Sequence, residues 1–342
     1  MAEIAVAGQP SEGNPFRQVI VAAGRHRELS LLAVMVLLGA LVAVRAPQFL
    51  SVSNLTQVTT LASIVAVAAV GQALVIISRN VDLSVESTIG LVAFVVADLL
   101  SARALGVPVA IGFGMLLGLG LGMINGFVVA VLRVPAIVAT LGTLSIYRGV
   151  DFLLAGGKQV TITDLPPGYT DAATANILGI PLFVVIAVAI VAIVGILLRQ
   201  TRFGRQVYAV GSNPEAATIL GIRTRLVTFA VFSLCGLLAG VAGVMWGIYF
   251  GTINATAATG AVLQVVAACV VGGVAIFGGS GTVVGAGLGA LFLGFIQNAL
   301  IIVRLSQFWL EAIYGVVILA AVAIDALILR RFQRSRRARR GG

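Results

Sequence analysis

The sequence predicts an all-α integral membrane protein with about ten transmembrane helices. Three observations predict it. Of the 342 residues, 60% are hydrophobic and 10% are charged, whereas soluble domains carry roughly 25% charged residues. Mean hydropathy is +1.12, which leaves too much apolar surface for water, so lipid must solvate much of it. The apolar residues gather into segments near the roughly 20 residues that a membrane crossing requires, and the basic residues fall mostly between alternate segments.

Taken in order, residues 1–28 are polar. No small-residue cleavage site follows a short apolar core, so the first helix is expected to remain in the mature chain. Helices are expected over 29–45, 55–78, 86–102, 107–132, 136–153, 176–198, 226–248, 260–277, 282–303 and 308–329. The short or glycine-rich ones are candidates for a break or a re-entrant turn. With the N-terminus inside, 17 of the 22 Lys and Arg residues lie on the inner side and 5 lie at or near the outer side. That asymmetry puts both termini in the cytoplasm. The chain then divides into a cytoplasmic N-terminal segment (1–28), a membrane domain (29–329) and a basic cytoplasmic tail (330–342). The longest inner loop is 199–225 and the longest outer loop 154–175. Five helices precede the outer loop and five follow it, so a repeat relating the halves would be inverted. The halves echo weakly: "GLGLGMINGFVVAVLRV" (118–134) against "GLGALFLGFIQNALIIVRL" (287–305).

Several chemistries are excluded. The net charge of +10 comes from bases beside apolar segments, above all the tail "RRFQRSRRARR", which the positive-inside rule explains without nucleic acid. Anionic membrane lipid is the expected counterpart. Cys235 and Cys269 lie in apolar segments and read as small buried hydrophobes. The lone histidine, His26, sits in the polar N-terminal segment, so no histidine metal site lies in the membrane. No metalloprotease or esterase motif occurs, and Lys158, the only lysine, stands in "GGKQ", so the chain has no phosphate-binding loop for ATP.

Polar groups within hydrocarbon are functional candidates by default. Those in the expected spans are Gln72, Asp98, Asn125, Thr140, Thr143, Gln264, Gln297, Asn298, Glu311 and Asp325. The three acids stand near helix ends. What remains at mid-span is uncharged, which suits a neutral, hydroxyl-rich solute and argues against a proton-coupled carrier with a titratable relay. Asn125, Thr140, Thr143, Gln297 and Asn298 are read equally as pathway lining or as interhelical hydrogen bonds.

Two loops stand out. "SRNVDLSVES" (78–87) joins the second and third helices on the inner side; Asp82 or Ser84 could cap the next helix with Glu86 in its first turn, or the loop could be a gate or docking contact. "GSNPEAATILGI" (211–222) reads as a helix of about seven residues, roughly 10 Å long. Ser212 and Glu215 have capping-box spacing, Pro214 suits the first turn, and Gly221 can end the helix left-handed. A helix that short is marginal alone, so it is either an ordinary surface helix or one that docks on something.

These residues carry a resemblance. "GSNPEAATILGI" resembles the EAA-type loop of permease subunits of ABC importers, and "RNVDLSVES" resembles the "GGIDLSVGS" signature of the ribose-type sugar permeases. "RVPAIVATLGTLSIYRG" (133–149) and "AACVVGGVAIFGGSGT" (267–282) are similar to the same family, in the same order, over about 30–330. The resemblance implies one subunit of a two-subunit channel, homodimeric or heterodimeric, in the bacterial inner membrane. A separate cytoplasmic ATPase would hold ATP and magnesium, and this chain would hold no cofactor. A periplasmic or lipid-anchored binding protein would deliver a monosaccharide. Carried over, Asn213, Glu215, Ala216, Ala217 and Gly221, with Ser212 and Pro214, would form the helix that couples to the ATPase; Asn80, Asp82, Leu83 and Ser84 fall in the signature loop. Arg79 and Asn80 replace the usual glycine pair, Glu86 replaces a glycine, and Val262 and Gln264 replace acids. The variants resemble the autoinducer-2 and rhamnose branches, which leaves rhamnose, autoinducer-2, ribose or xylose as the solute class. The competing reading is a secondary carrier for a small neutral solute.

Overall fold

The structure, a computed structural model, describes residues 27–306, 308–320 and 323. Residues 1–26 of the expected N-terminal segment, the basic tail, Asp325 and the end of the last span lie outside them, and Arg27 and Glu28 belong to the first helix. Each of the ten expected segments holds a helix over at least part of its described residues. The helices are α1 (Arg27–Arg45), α2 (Val52–Ile77), α3 (Val85–Ser101), α4 (Val107–Ala130), α5 (Ala136–Ala155), α6 (Leu182–Gln200), α9 (Thr224–Phe250), α10 (Ala261–Val271), α11 (Val283–Ile302) and α12 (Phe308–Ala320). The 199–225 loop holds two more, α7 (Arg202–Ser212) and α8 (Pro214–Ile219). Among the described residues seven helices are long and apolar enough to cross a membrane: α1, α2, α4, α5, α6, α9 and α11.

Helix α2 is the axis of the bundle. In its most apolar window 94% of residues are buried, packed against α9, α10, α11 and α6. The most extensive pairing is α4 with α9. Without a hydrophobic drive between helices in lipid, close packing must supply the association. Gly118 and Gly122 of α4 meet Gly236 and Gly240 of α9 backbone to backbone; a Cβ on Gly122 would lie 2.5 Å from the Phe232 carbonyl oxygen.

Helix ends follow charge as well as conformation. Arg79, Arg103, Arg133 and Arg304 each take a left-handed backbone just past α2, α3, α4 and α11, with φ between 54° and 69°. A cation there opposes the negative end of the helix dipole and sits where a chain leaves hydrocarbon.

Four expectations need correction. The helix expected at 176 starts at Leu182, because Asn176–Ile177 and Ile180–Pro181 form a two-stranded hairpin (β1 and β2) about Leu178 and Gly179, both at positive φ. The outer loop before it is ordered: Asp164 accepts from the Thr161 N–H and hydroxyl at 2.9 and 2.7 Å, which holds its carboxyl below the usual range. The helix expected over 260–277 stops at Val271, since Gly273, Gly278, Gly279 and Gly281 all take positive φ. The 199–225 loop, expected to hold one short helix, holds α7 as well, which buries Gly204, Val207, Val210 and Gly211. Finally, Ser212 is the last residue of α7 and forms no capping box with Glu215. Asn213 is the cap, its Oδ1 accepting from the Ala216 N–H at 3.0 Å, because Asn213 alone is extended (φ −157°) between two helices.

Candidate functional site

The signature loop is the break between α2 and α3, and its polar core is buried although Arg79 is exposed. Ser78, Asp82 and Ser84 are at most 2% exposed. Leu83 and Asn80 are half-buried, and the Asn80 amide donates to the Ser78 carbonyl at 3.0 Å. A buried backbone break needs its polar groups paired, and side chains from three helices supply the partners. The Gln72 amide of α2 lies 3.2 Å from both the Asp82 carbonyl and the Asp82 N–H, and with its amide oriented to suit these partners it donates to the first and accepts from the second. Asp82 Oδ1 accepts from the Ser84 N–H at 2.9 Å and its hydroxyl at 2.7 Å. Asn125 of α4 donates to Ser84 Oγ at 2.7 Å and faces Asp82 Oδ2 at 3.4 Å. Thr140 of α5 stands 3.4 Å from the Val81 carbonyl and donates to its own Ala136 carbonyl at 2.8 Å. Tyr147 donates to the Leu121 carbonyl at 2.9 Å, beside Asn125. Ser84 sits at the N-cap of α3 without a side-chain cap bond, so neither it nor Asp82 caps that helix in the simple way.

The candidate lining residues therefore divide. Asn125, Thr140 and Thr143 are buried: Asn125 meets Asp82 and Ser84, Thr140 stands by the Val81 carbonyl, and Thr143 lies one turn along α5, 3.4 Å from the Thr140 carbonyl. Asn298 and Gln297 lie elsewhere, on α11. Asn298 exchanges two amide hydrogen bonds with Asn54 of α2, both 2.9 Å, and Gln297 faces Gln264 of α10 at 3.5 Å.

The interior also holds charge, against the expectation of an uncharged mid-span. Glu86 (α3), Arg148 and Asp151 (α5) form a cluster: Arg148 Nη2 lies 3.8 Å from Glu86 and Nη1 lies 3.9 Å from Asp151. Glu86 does not serve its own helix. Its Oε2 accepts from the Gly260 and Val262 N–H groups at 2.9 and 3.3 Å, capping α10 instead. Arg148 donates to the Ala255 and Ala257 carbonyls at 2.9 and 2.8 Å. Two helices thus grip the 255–262 segment with opposite charges. Asp151 is fully buried and its oxygens have no hydrogen-bond partner among the described residues. The readable signals were the Arg148–Asp151 spacing of three on one helix and a glutamate standing where the signature has glycine.

At the end of the bundle carrying α8, a cleft of about 710 Å³ brings Arg79, Asn80, Arg133 and Arg225 together with Pro214, Glu215 and Thr218. The signature loop and the 211–222 stretch therefore share one surface. Ala217 is buried and anchors α8, and Gly221 closes it at φ +78°. Ser212, Asn213 and Glu215 are exposed, and so are Ile219 and Leu220, at 86% and 79%.

A glycine-packed bundle of helices long and apolar enough to cross a membrane, with a buried backbone break, is the build of a membrane permease. The chain belongs to the family described as branched-chain amino acid transport system / permease component, which matches residues 54–322. It is a multi-pass inner-membrane permease subunit of the ribose-type ABC importers, of the branch that holds the autoinducer-2 import permeases. The Autoinducer 2 import system permease protein LsrC of Escherichia coli (strain K12 / DH10B) is 40% identical over 300 residues, covering 88% of this chain and 87% of that one. That of Shigella flexneri is 41% identical over 300 residues, with the same coverage. That of Salmonella typhi is 40% identical over 309 residues, 90% of this chain and 87% of that one. No solved structure matches.

Proposed function

We propose that this chain lines the path of a sugar-like solute, with autoinducer-2 the first candidate and rhamnose, ribose and xylose the alternatives. The observation that carries the reading is the 40% identity to autoinducer-2 import permeases across 88% of the chain. In this reading ten segments cross or enter the membrane as two inverted halves, both termini are cytoplasmic, and residues 29–329 form the permease domain. A second permease subunit completes the channel. A periplasmic or lipid-anchored binding protein delivers the solute, and a cytoplasmic ATPase hydrolyses ATP. The coupling surface is Ser212, Asn213, Pro214, Glu215, Ala216, Ala217 and Gly221, with Ile219 and Leu220 as its apolar contact. Asn80, Asp82, Leu83 and Ser84 form the hinge above it. Asn125, Thr140 and Thr143 face the path through that hinge, and Gln297 and Asn298 set the seam between α2 and α11.

The buried acids remove one objection to a gradient-driven carrier, but family membership weighs against that reading. The test is uptake by the reconstituted importer. Labelled autoinducer-2 should accumulate only with ATP, and should persist when the proton gradient is collapsed. Glu215→Arg should leave the complex folded and its ATPase active while uptake falls at least about tenfold, the loss of one charge-assisted contact of roughly 1.5–3 kcal/mol. Uptake that survives both removal of the ATPase and Glu215→Arg would refute the assignment.

A further inference from the structure

We infer that the chain carries a binding site for one anionic phospholipid, formed by an apolar groove between α2, α6 and α11 and a cationic pocket at its end. The groove, about 210 Å³, is walled by Ala66 of α2, Val188 and Val191 of α6, and Gly287 and Leu288 of α11. Glycine at 287 keeps it open, since a Cβ there would come within 3.2 Å of Val191; Gly195, at the pocket end, leaves room where a larger side chain would press on Val283, 3.7 Å from its Cβ position. Val188 and Val284 on its rim are 62% and 46% exposed. One turn further along both helices it opens into a pocket of about 590 Å³, which shares Val284 with the groove and is lined by Gly195, Arg199, Arg205, Tyr208 and Thr282.

The pocket supplies the head-group chemistry. Arg199 lies in the last turn of α6 and Arg205 on α7; both are exposed, and neither forms an ion pair among the described residues. One acid, Glu28, also lines the pocket, where it accepts from the Thr282 hydroxyl at 3.2 Å. Two guanidinium groups against one carboxylate leave an excess of positive charge. The Tyr208 hydroxyl donates to the Gly281 carbonyl at 2.8 Å and fixes the floor. Along α11 the site runs from Thr282 to Leu291, about 14 Å by helical rise, which matches one leaflet, half of a hydrocarbon core of about 30 Å. An acyl chain fills the groove while the phosphate meets the arginines, as basic pockets between membrane helices do for anionic lipids.

The full chain, stripped of lipid in detergent, is offered phosphatidylglycerol and phosphatidylcholine with the same acyl chains, and retained lipid is read by native mass spectrometry. One phosphatidylglycerol should be held about tenfold more tightly, given roughly one charge contact per arginine. The exposed pair Arg199→Gln and Arg205→Gln should bring it to the phosphatidylcholine level without changing the melting temperature. Gly287→Leu, or Gly195→Leu if that variant does not fold, should lose both lipids. Soluble glycerophosphate should not displace the lipid. Equal retention of the two lipids, or a preference that survives the arginine changes, overturns the site. Displacement by glycerophosphate reduces it to an anion pocket, and loss of the lipid on pairing with the second permease subunit assigns the groove to protein; either result overturns the inference.

Discussion

Removing the Arg148 guanidinium would leave Glu86 and Asp151 as buried carboxylates with no counter-charge. Breaking a buried pair in that way costs about 3–5 kcal/mol, whereas neutralising every member costs little. Arg148→Met should therefore lower the melting temperature in detergent sharply. Adding Glu86→Gln, which can still accept from the Gly260 N–H, together with Asp151→Leu should restore most of it. A neutral single variant would show that the cluster does not hold the 255–262 segment. Arg79 makes the opposite case. It takes φ +69° where related signatures have glycine, and an L-residue there costs about 1–2 kcal/mol, partly offset by the entropy that glycine loses on folding. Arg79→Gly relieves that strain but also removes a cation worth about 0.3–1 kcal/mol at the end of α2, so stability should change by less than about 0.5 kcal/mol, read as a nearly unchanged melting point. Of these residues, the sequence marked Arg79 as a departure but left Arg148 and Asp151 out of its polar candidates, because a charge near a helix end looks solvated until its partners are known.

Among the elements, α8 depends on its cap. Asn213→Ala removes the bond to the Ala216 N–H and should cost the helix about 1 kcal/mol. In the reconstituted importer it should weaken solute-stimulated ATPase activity while leaving the permease melting point unchanged, since six exposed-end residues contribute little to the bundle. A shift in melting with normal coupling would make α8 structural instead. The α4–α9 seam is the reverse: Gly122→Val puts side-chain atoms into the α9 backbone and should abolish folded protein in a detergent size-exclusion assay. Hydropathy located the long helices to within about three residues at each end, since their length is dictated by the bilayer, except the start of α6, which lies six residues later than expected. It missed α7, whose arginines read as a surface loop. The signal was present in the buried spacing of Gly204, Val207 and Val210, one turn apart, but helical periodicity over eleven residues competes with the pull of its charges.

For the whole molecule, the proposed orientation has a direct test, because both native thiols are buried at 1% or less and should be silent to labelling. In spheroplasts a membrane-impermeant maleimide should modify Leu178→Cys, 98% exposed in the hairpin, and spare Ile219→Cys, 86% exposed on α8. Inverted vesicles should reverse the pattern. Equal labelling from one side would overturn the count of crossings between the two loops. The class of molecule, its solvent and the approximate places of its helices were determined by the sequence alone, because hydrophobic transfer and the positive-inside rule act on short stretches of chain. The partner of each polar group was decided only by the tertiary structure. Glu86 reaches the start of α10, 174 residues away, and Asn54 meets Asn298, 244 residues away. Such pairings arise where packing brings helices together and where no water remains to satisfy a polar group, and no local pattern records which distant residue that will be.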